Sequence, residues 1–124
     1  MKNKLIKECS FANFIYFKND EKLVDEISKY LDDNAENIFS FFEIKNKHKV
    51  NIYIIPTKKE YDLEFKKENK LDKNLILPNS YVGCFCNNKI IITSFNDYKN
   101  IESHKNNTIE DYKKTLLHEY THFV

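Results

Sequence analysis

His118, Glu119 and His122 are the residues of this chain whose types and spacing have a mechanism behind them. They stand in the run His118-Glu119-Tyr120-Thr121-His122, near the end of a 124-residue sequence. On an α-helix, residues four apart lie about 40° apart around the axis and about 6 Å apart along it. Two imidazoles so placed reach one metal from the same face, and Zn2+ accepts neutral imidazole nitrogen readily. Glu119 points about 100° away from His118, too far round the helix to join both histidines as a ligand. It is placed instead to take a proton from a zinc-activated water, which then attacks a carbonyl. The expectation is therefore a zinc site with His118 and His122 as ligands and Glu119 as general base. The competing reading is two surface histidines and a solvated carboxylate. An H-E-x-x-H run arises by chance in such a chain on the order of one time in a hundred, which favours the first.

The helix that must carry these groups is legible too. Thr108 is an N-cap candidate, with Glu110 and Asp111 in the first turn, where negative charge suits the helix dipole. From Ile109 onward, Ile109, Tyr112, Leu116, Tyr120, Phe123 and Val124 gather on one broad arc, with Leu117 at its edge. His118 and His122 fall opposite that arc, in line with Asp111 and Thr115. The apolar arc is expected to anchor the helix while the histidines face a cleft.

Upstream, Phe11 to Phe17 is rich in β-formers and reads as the first strand. Asn19 and Asp20 offer an N-cap to a long amphipathic helix from Glu21 to about Phe42. Lys45 to His48 reads as a polar surface turn. Val50 to Ile55 is apolar on both faces, which belongs inside a sheet covered on both sides. Thr57 and Glu60 make a capping box for a second helix through about Glu68. Lys70 to Ser80 is a loop. Tyr81 to Cys86 and Lys89 to Ser94 are strands joined by Asn87-Asn88, residues that tolerate the positive φ of a two-residue hairpin turn. Asn96 to Asn107 is polar loop with a short helical turn. The order predicts an α+β fold: one domain over residues 1–124, a mixed twisted sheet with a β-hairpin packed on helices, and a C-terminal HExxH helix.

Composition narrows the partners. Ten Phe and eight Tyr imply a core built on rings. Every basic residue is Lys, and Lys, Asn and Ile abound while Gly and Pro are nearly absent, the bias of an AT-rich bacterial genome. A net charge of +1 gives no global attraction to nucleic acid or to an anionic membrane. Without Arg there is no bidentate reader of phosphate or guanine. No run suits a signal peptide or a transmembrane span, so a cytoplasmic protein is expected. Cys9, Cys84 and Cys86 are no disulfide framework, and reduced thiols are expected. Cys84 and Cys86 share a strand face and could ligate metal, as could His104 or Glu102 ahead of the last helix. The plainer readings are packed thiols and solvated loop residues.

The stretch Leu116-Leu117-His118-Glu119-Tyr120-Thr121-His122-Phe123-Val124 resembles the active-site helix of the zincin metallopeptidases, gluzincin-like members of the peptidase MA clan. The layout upstream is similar to that family's N-terminal subdomain. The resemblance implies peptide-bond hydrolysis, Zn2+ as cofactor, and a peptide or protein substrate. It also implies an edge strand that binds substrate by strand addition, here Tyr81, Gly83, Cys84 and Phe85. Gluzincins take a third ligand, a Glu, from a helix downstream of the second His, and no such segment follows Val124 in this sequence. The expectation is a truncated form, binding zinc weakly and weakly active or inactive alone. Self-association through the exposed edge or the uncovered cleft is expected with it. The alternative is a catalytically silent peptidase-like binding module.

Overall fold

The computed structural model describes residues 4–41 and 49–123. The turn expected at Lys45 to His48, and the helix ends expected at Phe42 and Val124, lie outside them. Five strands and three helices follow in the order β1 (Lys4–Glu8), β2 (Ala12–Phe17), α1 (Glu21–Phe41), β3 (Val50–Ile55), α2 (Lys58–Glu68), β4 (Gly83–Cys86), β5 (Lys89–Thr93) and α3 (Ile109–Phe123). Short 3-10 turns cover Lys18–Asp20 and Phe95–Asn100. The fold is α+β.

The strands form one mixed sheet in the order β1-β2-β3-β5-β4. β1 runs antiparallel to β2, β2 and β5 run parallel to β3, and β4 returns antiparallel to β5. β3 is central, as its two apolar faces require. One face carries Ala12, Phe14, Val50, Ile52, Ile54, Ile90 and Ile92, all buried against α1 and α3. α2 covers β3 and β5 on the other face, where Ile91 and Tyr61 are fully buried. Burying these aliphatic and aromatic side chains stabilises the fold by about 1.5–3 kcal/mol each.

β1 is an addition to the reading of the sequence, which placed the first strand at Phe11. Its five residues alternate Lys-Leu-Ile-Lys-Glu, a weak strand signal beside the aromatic run that follows. Leu5 packs on the core side, whereas Ile6 stays 66% exposed because α2 does not reach that edge. The hairpin between β4 and β5 has the expected turn: Asn87 and Asn88 take φ of 51° and 62°, the mirror-image conformation that matches strand twist. β4 is shorter than expected. Tyr81 precedes it, its N–H donating to the Pro78 carbonyl and its ring resting 5.5 Å from Phe65.

A buried polar cluster pins the start of α1 to the end of β5. Asp20, 2% exposed, accepts hydrogen bonds from Ser94 Oγ and, at 2.9 Å, from Asn96 Nδ2. Next to it, the Asp97 carboxylate accepts from the Lys58 N–H at 2.7 Å and ties the second 3-10 turn to α2.

Candidate metal centre on α3

α3 begins on a reciprocal cap. Thr108 Oγ1 accepts from the Asp111 N–H at 3.3 Å, and the Asp111 carboxylate accepts from the Thr108 N–H at 2.9 Å. The sequence offered Thr108 as a cap, and Asp111 completes it as the shorter counterpart of the usual Glu. The same N–H holds the Asp111 carboxyl below the usual carboxylate range. The apolar arc then packs as its spacing predicts. Tyr112, Leu116 and Tyr120 are fully buried, and Phe123 is half-buried. Tyr112 Oη donates to the Thr93 carbonyl at 2.8 Å, fixing α3 to the end of β5. Tyr120 meets Phe39 of α1 edge-on at 6.3 Å, and Phe123 meets Phe85 of β4 at 6.0 Å.

Anchored on that side, the helix turns His118 and His122 outward, and both are exposed. Their Nε2 atoms lie 3.1 Å apart, with ring centroids 4.6 Å apart and the ring planes perpendicular. Two imidazole nitrogens bound to one tetrahedral zinc at ~2.05 Å stand about 3.3 Å from each other. The donor pair therefore fits a shared zinc ion with a displacement of a few tenths of an ångström. The same separation suits a hydrogen bond in which one ring donates to the other, so a proton or a metal satisfies it. Two hollows of the described surface lie away from the pair, one by Lys18, Glu26, Phe95 and Ile109, another by Cys9, Asp25, Asp32 and Lys49. The histidine pair sits on an open helix face.

Glu119 points away from both rings toward β4 and is half-buried. Burial pushes its carboxyl above the ordinary value, while His118, His122 and the Phe85 N–H act against that rise. The source of that N–H follows from register. The Thr93 N–H donates to the Val82 carbonyl, so alternate pairs, Cys84 with Ile91 and Cys86 with Lys89, exchange the ladder bonds. Gly83 and Phe85 then direct their N–H and C=O groups to the free edge, and Phe85 meets Glu119 there. Sequence reasoning did not find this contact. Its signal is long-range, because only the pairing of β4 with β5 decides which amides of β4 face outward.

The remaining candidates sort by face. Gly83 and Phe85 present backbone to the edge, and a Cβ on Gly83 would come within 3.3 Å of Ile92. Cys84 and Cys86 turn to the opposite face, toward α2. Tyr61 of α2 lies close enough to Cys84 that each side chain shifts the other's titration. Burial pushes the Cys84 thiol up to about 12, the behaviour of a packed thiol. His104 lies beyond the other end of α3. Its ring packs against Tyr98 at 5.1 Å and its Nδ1 is 2.7 Å from Ser103 Oγ. Nine residues of helix, about 13 Å of rise, separate Ile109 from His118. Glu102 pairs with Lys105 at 3.0 Å in the same loop. Among the described residues no third His, Cys, Asp or Glu joins the pair on α3. Nor, among them, is any helix long and apolar enough to cross a membrane.

Comparison with known proteins gives no matching family model, no matching curated protein and no matching solved structure.

Proposed function

We propose that this chain is a zincin-like metallopeptidase domain, with His118 and His122 as zinc ligands and Glu119 as general base. The observation that carries the reading is the convergence of two imidazole nitrogens to 3.1 Å on the exposed face of a capped and anchored helix. Zinc held there supplies Lewis acidity, polarising an amide carbonyl and acidifying a water molecule. The chain's own residues do the rest. The apolar arc and the Thr108–Asp111 cap hold the helix, so both rings meet at one point without a conformational search. Glu119 takes the proton of the attacking water at its carboxylate and returns it to the leaving amine. Burial raises its affinity for a proton, the direction a general base needs.

The peptide substrate lies along β4, pairing with the outward groups of Gly83 and Phe85. A paired peptide takes up the Phe85 N–H beside Glu119. A third zinc donor comes from solvent. The exposed edge of β4 favours a second reading, a catalytically silent module that binds peptide by strand addition. Glu119→Gln separates the two, because it removes hydrolysis under the first reading and spares peptide binding under the second.

The test of the metal centre is direct titration of the chelator-treated protein with zinc, and with cobalt for its visible absorption. One ion per chain is expected, with tetrahedral cobalt bands, both lost in His118→Ala and in His122→Ala. Uptake unchanged in these variants, or none in the parent protein, would overturn the proposal.

A further inference from the structure

The sequence predicts reduced thiols at Cys84 and Cys86, on one face of a strand. The structure places their sulfurs 3.4 Å apart, in contact on one face of β4. We propose that this pair is a modification site: a reversible dithiol that a low-molecular-weight disulfide converts to an intramolecular Cys84–Cys86 disulfide.

The side chains are already aligned. Both residues make the ladder bonds to β5, so their Cβ atoms project in parallel toward α2. Cys86 adjoins the exposed Asn87-Asn88 turn and opens the exchange. Its sulfur attacks one sulfur of the small disulfide, and that reagent's S–S bond breaks. One small thiol leaves, carrying the Cys86 proton, and a mixed disulfide remains on Cys86. The Cys84 sulfur then attacks the Cys86 sulfur and expels the second small thiol with the second proton. Two protein thiols are oxidised and one small disulfide is reduced to two thiols. Cys84, held protonated by its surroundings against Tyr61, makes the second step the slow one.

The consequence falls on α3. Two residues of extended strand span about 6.6–6.8 Å between Cα atoms, the upper end of what a disulfide tolerates. Closing the bridge draws Cys84 and Cys86 together and buckles β4 at the residue between them. That residue is Phe85, whose ring meets Phe123 and whose N–H faces Glu119. The thiol state of one face of β4 is thereby read on the other. Formation of the bridge is independent of the metal reading, and only its effect on hydrolysis rests on it.

The experiment treats the parent protein with excess oxidised glutathione and follows intact mass, alkylatable thiols and the peptide containing residues 84–86. The expected product has lost two hydrogens from that peptide and carries no glutathione. Cys84→Ser and Cys86→Ser each keep one glutathione as a stable adduct. A persistent glutathione adduct on the peptide containing residues 84–86, a disulfide-linked dimer through these residues, or unreacted thiols at both would overturn the site, whatever the state of Cys9. Amide hydrogen exchange on the oxidised protein tests the second step: Phe85 and the amides of 117–123 exchange faster than in the reduced form, and unchanged exchange overturns the link to α3. Zinc titration of both forms keeps the readings apart, since loss of all zinc binding would sink the metal centre and leave the dithiol standing.

Discussion

Two carboxylates of this fold stand in opposite surroundings. Asp20 is buried immediately before α1, and fixed side-chain donors from Ser94 and Asn96 both bond to its Oδ1. Glu119 is half-buried on α3, and the groups that stabilise its charge are two imidazoles and one strand amide. Asp20 has side-chain donors held by the segment that follows β5, and they move only when the fold moves. Glu119 has partners that stand on an exposed helix face and at a free strand edge. A satisfied buried polar group specifies structure, and one whose partners are exchangeable is free to handle a proton. The difference ranks what mutations at the two centres do.

The largest effect belongs to Glu119. Glu119→Gln lowers the zinc-dependent hydrolysis rate by roughly 10²–10⁴-fold, the usual contribution of a positioned general base. Its melting temperature stays level or rises, because the carboxyl gives up a burial penalty. A rate assay on zinc-loaded protein beside a thermal melt measures both, and a variant that keeps its rate breaks the contrast from the catalytic side.

Asp20→Ala has the reverse signature. Losing a buried acceptor of two hydrogen bonds, with Ser94 and Asn96 left without it, costs about 2–3 kcal/mol. The urea midpoint of unfolding falls, and the zinc affinity of the folded fraction stays that of the parent protein. Loss of zinc affinity in folded Asp20→Ala would show that the two centres are coupled and sink the separation.

These two carboxylates also divide what the sequence reveals. Beside Glu119, the convergence of His118 and His122 was legible because the two lie one helical turn apart, so spacing alone sets the geometry. The turn at Asn87-Asn88, the buried arc Tyr112–Leu116–Tyr120 and the cap at Thr57 were legible for the same reason: each is decided by residues a few positions apart. Asp20 was read only as a cap candidate. Its partners are 74 and 76 residues away, and no local pattern carries that distance. β1 was missed because its alternation is short and charged, and it becomes a strand only through pairing with β2. Phe85 was hidden likewise, since its outward amide depends on register with β5.

A smaller effect tests the frame that holds Glu119 in place. Thr108→Ala removes the hydroxyl half of the cap on α3 and destabilises the protein by about 1 kcal/mol. Zinc affinity falls little, because the histidines lie more than two turns away. The denaturation midpoint checks the first statement and zinc titration the second. A large loss of affinity would mean that the whole helix, and not its last two turns, positions the metal.

The smallest effect concerns a third carboxylate, intermediate between the other two. Glu68 at the end of α2 is clasped by the Lys89 ammonium and the Asn87 amide, which hold its carboxyl down at about 2. Its partners are fixed like those of Asp20, yet they belong to the solvent-facing hairpin. The folded value lies below the unfolded one of about 4.3, so the folded state binds this proton less readily. The stabilisation is present above the unfolded value and is lost as pH falls from about 5 to about 2. The pair lies at the surface with both side chains partly covered, and such a pair contributes about 1 kcal/mol. Urea midpoints of the parent protein and of Glu68→Gln therefore differ slightly at neutral pH and converge in acid. A gap that stays constant over that range would mean that the clasp acts through packing, placing Glu68 outside the contrast between fixed and exchangeable partners.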